Sequence, residues 1–237
     1  MRLRSALIAL LATGSCVAQT ASPMCAPGPG QGANGDWANL AHYREANAAL
    51  HSDSARVVFL GDSITEGWAP EPLIAGDPHH VGRGIGGQTT QQLVVRFRAD
   101  VINLRPRLVH IMAGTNDVAV NNGPESDADI EDAIQSMVQL AKANHIKVLL
   151  ASIPPAADFP WRPGLNPAPR IRRLNEWIKG YARRAGVSYV DYWPALATES
   201  GAMRAELSPD GVHPNSQGYR AMQPLAQAAI TAALGAR

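Results

Sequence analysis

The chain has 237 residues, of which 46% are hydrophobic and 17% charged, a composition that fits a globular protein and excludes a disordered, collagen-like or multi-span membrane chain. Its 21 lysines and arginines nearly balance 20 aspartates and glutamates, so a net charge of +1 creates no global field that would collect nucleic acid or anionic lipid. On folding, a chain of this length hides roughly 70% or more of its unfolded surface, enough for a large core without disulfides.

The first 18 residues have the pattern of a secretory signal peptide. Two arginines lie within the first four residues, residues 6–12 form an uninterrupted apolar run, and small residues precede a cleavage position after Ala18. Because the run is far shorter than the ~20 residues that span a bilayer, we expect a secreted or periplasmic protein without stable membrane insertion. Residues 13–16 also loosely resemble a lipobox, so lipid anchoring at Cys16 is a second hypothesis.

Cleavage at this position would change the charge and the cysteine content of the chain. The mature protein would carry 19 basic against 20 acidic residues, and Cys25 would be its lone cysteine. An internal disulfide and a structural zinc site with paired cysteines are then excluded. Residues 19–35 are rich in proline and glycine and are predicted to form a flexible tail. Residues 36–237 contain no internal repeat or linker and are predicted to form one domain.

Along this domain, short apolar runs typical of buried strands alternate with longer stretches of helical spacing. Strands are predicted at residues 56–60, 81–85 (the weakest), 108–113, 146–152 and 187–190, and helices at residues 37–50, 90–104, 128–144, 168–185 and 217–234. Strand–helix alternation predicts right-handed crossovers and a parallel sheet that is covered by helices. We therefore expect one doubly wound α/β domain with about five strands.

Ligands of such sheets bind beyond the carboxyl ends of the strands, so the loops that follow the strands are the candidate functional segments. The first strand runs into Gly-Asp-Ser, which places Ser63 at a strand-to-helix turn. There the helix N-terminus favours the negative charge that forms when a nucleophile attacks. Asp62 or Ser63 could equally serve only to cap the following helix.

Two further loops offer hydrogen-bond donors at the same edge of the sheet. Residues 84–90 read GIGGQTT, whose glycines let backbone amides approach a ligand, although an ordinary glycine-rich turn would look the same. Neither a phosphate loop nor a dinucleotide fingerprint is present there. Residues 114–117 read GTND, and the Asn116 amide could donate a hydrogen bond into the cleft or form an Asx turn.

Asp210 and His213 lie three residues apart in a proline-bounded loop near the C-terminus. A carboxylate at that spacing can fix the orientation and tautomer of the imidazole, whose other nitrogen then takes a proton from a serine. A solvated histidine on a surface loop is the alternative. Each of the four loops is ambiguous by itself, but together they bring a nucleophile, two donors and an acid–histidine pair to one edge of the sheet.

The blocks GDSITEG, GIGGQTT, GTND and DGVHP resemble, in this order, the four signature blocks of the SGNH hydrolases, also called the GDSL lipase/esterase superfamily. The resemblance extends over about residues 57–219 and implies a flavodoxin-like three-layer α/β/α sandwich. It also implies that Ser63 is the nucleophile and that Asp210 and His213 are the acid and the base of a triad. The implied oxyanion donors are the backbone amide of Gly87 and the side chain of Asn116. Gln88 stands where the second block often has aspartate or asparagine.

Together with the predicted signal peptide, the resemblance implies a secreted serine esterase that hydrolyses carboxylic esters through an acyl-enzyme, with no metal or organic cofactor. Its expected partners are small-molecule or carbohydrate esters, not nucleic acid. No long apolar surface stretch suggests binding at a lipid–water interface, which favours short acyl groups such as acetyl. The alternatives are a lysophospholipase or thioesterase, or a non-hydrolytic secreted binding module of the same fold. Residues 159–162 either wall the cleft through Trp161 or form a lid anchored by a buried aromatic side chain.

Overall fold

The computed structural model describes residues 28–50 and 57–235, and the signal peptide and lipid anchor predicted for the N-terminus lie outside this range. Five parallel strands form one sheet in the order β2-β1-β3-β4-β5, and their bounds are Val57–Gly61 (β1), His80–Gly84 (β2), Leu108–Met112 (β3), Lys147–Ala151 (β4) and Ser188–Val190 (β5). The strand order reverses at β1, as it does in flavodoxin-like folds. The predicted fold class is confirmed.

Long helices connect the strands and shorter ones follow several of the strand ends. Their bounds are Arg44–Ala49 (α1), Ser63–Trp68 (α2), Pro72–Ala75 (α3), Thr90–Asp100 (α4), Thr115–Val118 (α5), Asp127–Ala143 (α6), Ala168–Ala185 (α7), Trp193–Leu196 (α8) and Ser216–Leu234 (α9). None of the helices within the described ranges combines the length and the apolar character that a membrane crossing requires.

The core consists of two apolar layers, one on each face of the sheet. Successive residues of a strand point to opposite faces, so Val58 and Leu60 pack with α4, α6 and α7, whereas Val57 and Phe59 pack with α2, α3, α8 and α9. All five residues of β1 are buried, as are all five of β3. The central strands therefore form a rigid base from which their C-terminal loops project.

The prediction of a helix over residues 37–50 is wrong for the first half of that segment. Asn39 has a left-handed backbone (φ 53°), and the Asp36 carboxylate accepts hydrogen bonds from the amides of Leu40 and Ala41, so the segment forms turns and α1 begins only at Arg44. No residue of α1 is buried. The Asp36 side chain offers these amides an alternative to helical hydrogen bonds, and the left-handed Asn39 cannot continue a right-handed helix, so turns form before α1.

Candidate active site

Ser63 and His213 meet at the C-terminal edge of the sheet although 150 residues separate them in the chain. Ser63 Oγ lies 2.9 Å from His213 Nε2. Ser63 is the first residue of α2, and the preceding Asp62 caps this helix by accepting the Ile64 amide hydrogen bond at 3.0 Å. Asp62 thus has the capping role that the sequence allowed for, and the hydroxyl of Ser63 remains available to the histidine.

Asp210 holds the other side of the His213 ring. Its Oδ2 lies 2.6 Å from His213 Nδ1, and its Oδ1 accepts the backbone amides of Val212 (2.9 Å) and His213 (2.8 Å). Burial alone would raise the pKa of Asp210, but the hydrogen bonds from the His213 side chain and from these amides outweigh burial and lower the pKa to about 2. The ionised carboxylate therefore keeps the proton of a neutral imidazole on Nδ1, which leaves Nε2 free to accept from Ser63.

The two predicted oxyanion donors, Gly87 and Asn116, line the same cavity as Ser63 and His213. Gly87 has a positive φ of 79°, and a Cβ atom there would come within 2.8 Å of the Gly30 amide nitrogen, so backbone from the N-terminal segment packs directly on this loop. Asn116 Nδ2 donates to the carbonyl of Gln88 at 3.0 Å, while its Oδ1 accepts from Asn121 Nδ2 at 2.6 Å. The structure thus brings all five predicted site residues together.

The cavity has a volume of about 340 Å³, and the side chains of Pro29, Asn121 and Trp161 complete its lining. The Trp161 ring lies 5.9 Å from that of His213, centroid to centroid, and is 43% exposed. Its neighbour Phe159 is fully buried and packs on Trp161 at 5.2 Å. Phe159 is thus the buried aromatic anchor of the loop, and Trp161 forms a wall of the cavity.

The sequence profile of the GDSL-like lipase/acylhydrolase family matches residues 59–221. The chain belongs to this family. A GDSL acylhydrolase is a carboxylic ester hydrolase, so the resemblance carried by the four sequence blocks and the predicted enzyme class are confirmed.

Solved structures of GDSL proteins agree with this assignment. A candidate acylhydrolase from Bacteroides fragilis shares 46% sequence identity over 84% of this chain and 99% of that chain, with a TM-score of 0.80. A GDSL-like lipase from Bacteroides thetaiotaomicron shares 44% identity over 83% and 99%, with a TM-score of 0.79. An acetylxylan esterase from Geobacillus stearothermophilus, 20% identical over 75% and 94%, has a similar fold with a TM-score of 0.60.

One curated relative matches only locally. The Bacillus subtilis protein described as uncharacterized lipoprotein YqeF is 51% identical over 37 residues, which are 16% of this chain and 15% of that protein. Among the described residues of this GDSL hydrolase, no three His, Cys, Asp or Glu side chains form a group that could hold a metal ion.

A fully buried arginine, which the sequence analysis did not identify, supports the loops of the GDSL site. Arg96 Nη2 donates to the carbonyls of Gly61 (2.9 Å) and Arg83 (2.8 Å), near the ends of β1 and β2, and its Nε donates to Gln88 Oε1 at 2.6 Å. The Gln88 amide donates in turn to the carbonyls of Gly30 (3.0 Å) and Ala38 (2.8 Å). Gln88 therefore connects the N-terminal segment, residues 28–38, to the loop of residues 84–90, which is the second of the four loops at this edge of the sheet.

Three carboxyl groups lie close to the site. Burial raises the pKa of Asp62 to about 6, although the Ile64 amide and the nearby His213 oppose this rise. Asp117, directly after Asn116, accepts the Thr90 amide at 3.0 Å, and burial raises its pKa. Burial and the neighbouring Asp117 carboxyl group raise the pKa of Glu125.

Proposed function

We propose that this GDSL hydrolase is an exported serine esterase that removes short acyl groups, above all acetyl, from carbohydrate or other small-molecule esters. The observation that carries the proposal is the line of contacts from Ser63 Oγ through His213 to Asp210, with separations of 2.9 and 2.6 Å, at the wall of an open cavity. A binding module of the same fold would have no need of a serine, an imidazole and a carboxylate in this arrangement.

The proposed reaction passes through an acyl-enzyme. Ser63 Oγ attacks the ester carbonyl while His213 Nε2 takes the proton of the hydroxyl, and Asp210 stabilises the imidazolium that forms. The amides of Ser63 and Gly87 and the side-chain amide of Asn116 donate to the oxyanion of the tetrahedral intermediate. His213 then protonates the leaving alcohol, and a water molecule, deprotonated by His213, releases the acid from Ser63.

The shape and lining of the cavity support a short acyl group and a sugar-like alcohol. Its volume of about 340 Å³ is near the lower end of the usual range for small-molecule sites. Trp161 offers an exposed apolar face on which a sugar ring can pack. The fold of an acetylxylan esterase is similar, which supports this substrate class by analogy.

Export rests on the first 18 residues, with their basic start, apolar run and small residues before Ala18. The local match to a Bacillus subtilis lipoprotein is compatible with export and with the alternative of a lipid anchor at Cys16.

Hydrolysis of p-nitrophenyl acetate, butyrate and octanoate by the wild type and Ser63→Ala tests the proposal. We expect kcat/KM to be highest for acetate, and Ser63→Ala to lower kcat by at least ~10³-fold because no nucleophile remains. Ser136→Ala, a serine on α6 whose hydroxyl bonds only within its own helix, is the control and should match the wild type. Acetate release from acetylated xylo-oligosaccharides tests the carbohydrate substrate.

Each part of the proposal has its own contrary outcome. Full turnover by Ser63→Ala would overturn the mechanism. A preference for octanoate would contradict a short-chain substrate and favour a lysophospholipase or thioesterase. If no ester were hydrolysed, the non-hydrolytic binding module would be favoured.

A further inference from the structure

Asn121 lies in the cavity wall between Trp161 and Asn116, outside the four family blocks. We propose that Asn121 is a positioning residue, which orients the side-chain amide of Asn116 so that an N–H group, and not an oxygen, faces the reacting ester. The inference rests on the proposed function, in which Asn116 donates to the oxyanion, and it assigns a role to a residue that neither the sequence blocks nor the triad geometry includes.

Three hydrogen bonds run in one direction through these side chains. Trp161 Nε1 donates to Asn121 Oδ1 at 3.0 Å, and Asn121 Nδ2 donates to Asn116 Oδ1 at 2.6 Å. Asn116 Nδ2 then donates to the carbonyl of Gln88 at 3.0 Å. An indole nitrogen can only donate and a backbone carbonyl can only accept, so the two ends of the series determine which way both amides point.

The orientation of Asn116 matters because its two ends have opposite effects on a developing negative charge. With Oδ1 held by Asn121 and one N–H of Nδ2 on Gln88, the second N–H of Asn116 remains for the oxyanion. If the Asn116 amide were turned over, its Oδ1 would face the Gln88 carbonyl oxygen, and no N–H group of Asn116 would be directed at the substrate. Asn121 removes this alternative.

The backbone brings Asn121 back onto Asn116 through an unusual turn. Val120 has a φ of 59°, a left-handed conformation that β-branched residues rarely adopt. Directly after it, the amide nitrogen of Asn121 donates to the carbonyl of Asn116 at 3.0 Å, so backbone and side chain of Asn121 both contact Asn116. A strained residue beside a cavity is often retained because a functional group depends on it.

A double-mutant cycle with p-nitrophenyl acetate tests the role. Asn116→Ala should lower kcat by ~10²–10³-fold, and Asn121→Ala by roughly 10–100-fold with little change in KM, because Asn121 acts through the orientation of that donor. In the Asn116→Ala background, Asn121→Ala should cost less than about twofold, because no amide is left to orient. Asn122→Ala, whose side chain contacts Gln92 and Gln31 but not Asn116, is the matched control and should keep the wild-type kcat.

Trp161→Phe is a second variant, which keeps an aromatic wall but removes the indole N–H. It should lower kcat by roughly 3–10-fold, and this loss should also disappear in the Asn116→Ala background. Thermal unfolding checks that each variant folds. If Asn121→Ala does not fold, Trp161→Phe still tests the inference.

Two results would overturn the inference. If the losses of Asn116→Ala and Asn121→Ala multiply, Asn121 acts independently of Asn116; if Asn121→Ala changes KM alone, it is only a wall of the cavity. These two results can be distinguished from a failure of the proposed function. If the proposed function is wrong, Ser63→Ala and Asn116→Ala will themselves retain full turnover.

Discussion

Asp210 acts on His213 through two different atoms. One carboxylate oxygen accepts from the imidazole Nδ1, and the other accepts the backbone amides of Val212 and His213, so the acid fixes both the ring and the loop that carries it. Because these hydrogen bonds outweigh burial and lower its pKa to about 2, the carboxylate remains charged at any pH at which the enzyme would work. Charge and orientation therefore come from one residue.

Asp210→Asn separates these two contributions. Its side-chain oxygen can still accept the loop amides, so the fold should persist, but the negative charge that stabilises the imidazolium is lost. We expect kcat for p-nitrophenyl acetate to fall by ~10³–10⁴-fold, the effect that the same change has in serine proteases. Asp132→Asn is the control, because Asp132 lies on the exposed face of α6 and accepts from Gln135 Nε2 on the same helix, and it should retain wild-type kcat. An Asp210→Asn enzyme with more than a tenth of wild-type turnover would contradict the assigned role.

At the scale of elements, the second loop is held in place from both sides. Arg96 on α4 binds Gln88 from inside the protein, and the Gln88 amide binds the carbonyls of Gly30 and Ala38 from the N-terminal segment. Pro29 of that segment also lines the cavity. Residues 28–38 thus form part of the site, although the tail predicted for residues 19–35 had no expected contact with it.

Gln88→Leu tests this connection. Leucine fills a similar volume but leaves a buried arginine nitrogen and two carbonyls without their partners, so the free energy of unfolding should fall by roughly 2–4 kcal/mol. Urea unfolding measures the change, and Gln139→Leu on the exposed face of α6 should stay within about 0.5 kcal/mol of the wild type. Equal stability of Gln88→Leu and the wild type would show that the hydrogen bonds of Gln88 do not hold the loop.

At the scale of the whole molecule, a buried histidine makes the stability of the fold depend on pH. His110, on the central strand β3, lies among the rings of Phe59, Trp68 and Tyr192, and burial lowers its pKa to about 3. Between that pKa and the ordinary ~6.5, the unfolded chain binds a proton at this residue that the folded protein does not. The contribution of His110 to stability therefore falls as the pH falls through this window.

Urea unfolding at pH 7.5 and at pH 5 measures this effect in the wild type and in His110→Gln. Because glutamine does not titrate, the free energy of unfolding of His110→Gln should rise by about 2 kcal/mol relative to that of the wild type as the pH is lowered over this interval. Asp62, with a pKa raised to about 6, acts in the opposite direction but is present in both proteins, so it cancels from the difference. Gln139→Leu, an exposed substitution that removes no titrating group, should show the wild-type dependence. Identical pH dependence in all three proteins would contradict the burial of a neutral His110.

Local physical rules were sufficient to predict the order of the strands and of the long helices between them, but not the short helices α2, α3, α5 and α8. Continuous apolar runs can be buried only between two layers of helices, so the strands and the parallel sheet followed from the pattern. Helix α7 begins and ends at its predicted residues because one apolar face packs on the core and Gly186 ends it with a left-handed backbone. The helix predicted over residues 37–50 failed in its first half because the Asp36 side chain accepts the amides of Leu40 and Ala41 and Asn39 is left-handed, which the apolar spacing does not reveal.

The motif blocks likewise named the candidate nucleophile, base, acid and donors, because each residue type is tied to its chemistry. Distances, burial and direction depend on segments far apart in the chain, and only the folded protein brings these together. The contact between Ser63 and His213, the raised pKa of Asp62 and the position of Pro29 at the cavity belong to this group. So does Asn121, an ordinary polar residue after a turn in the sequence, which acquires its significance from the neighbours on either side of it.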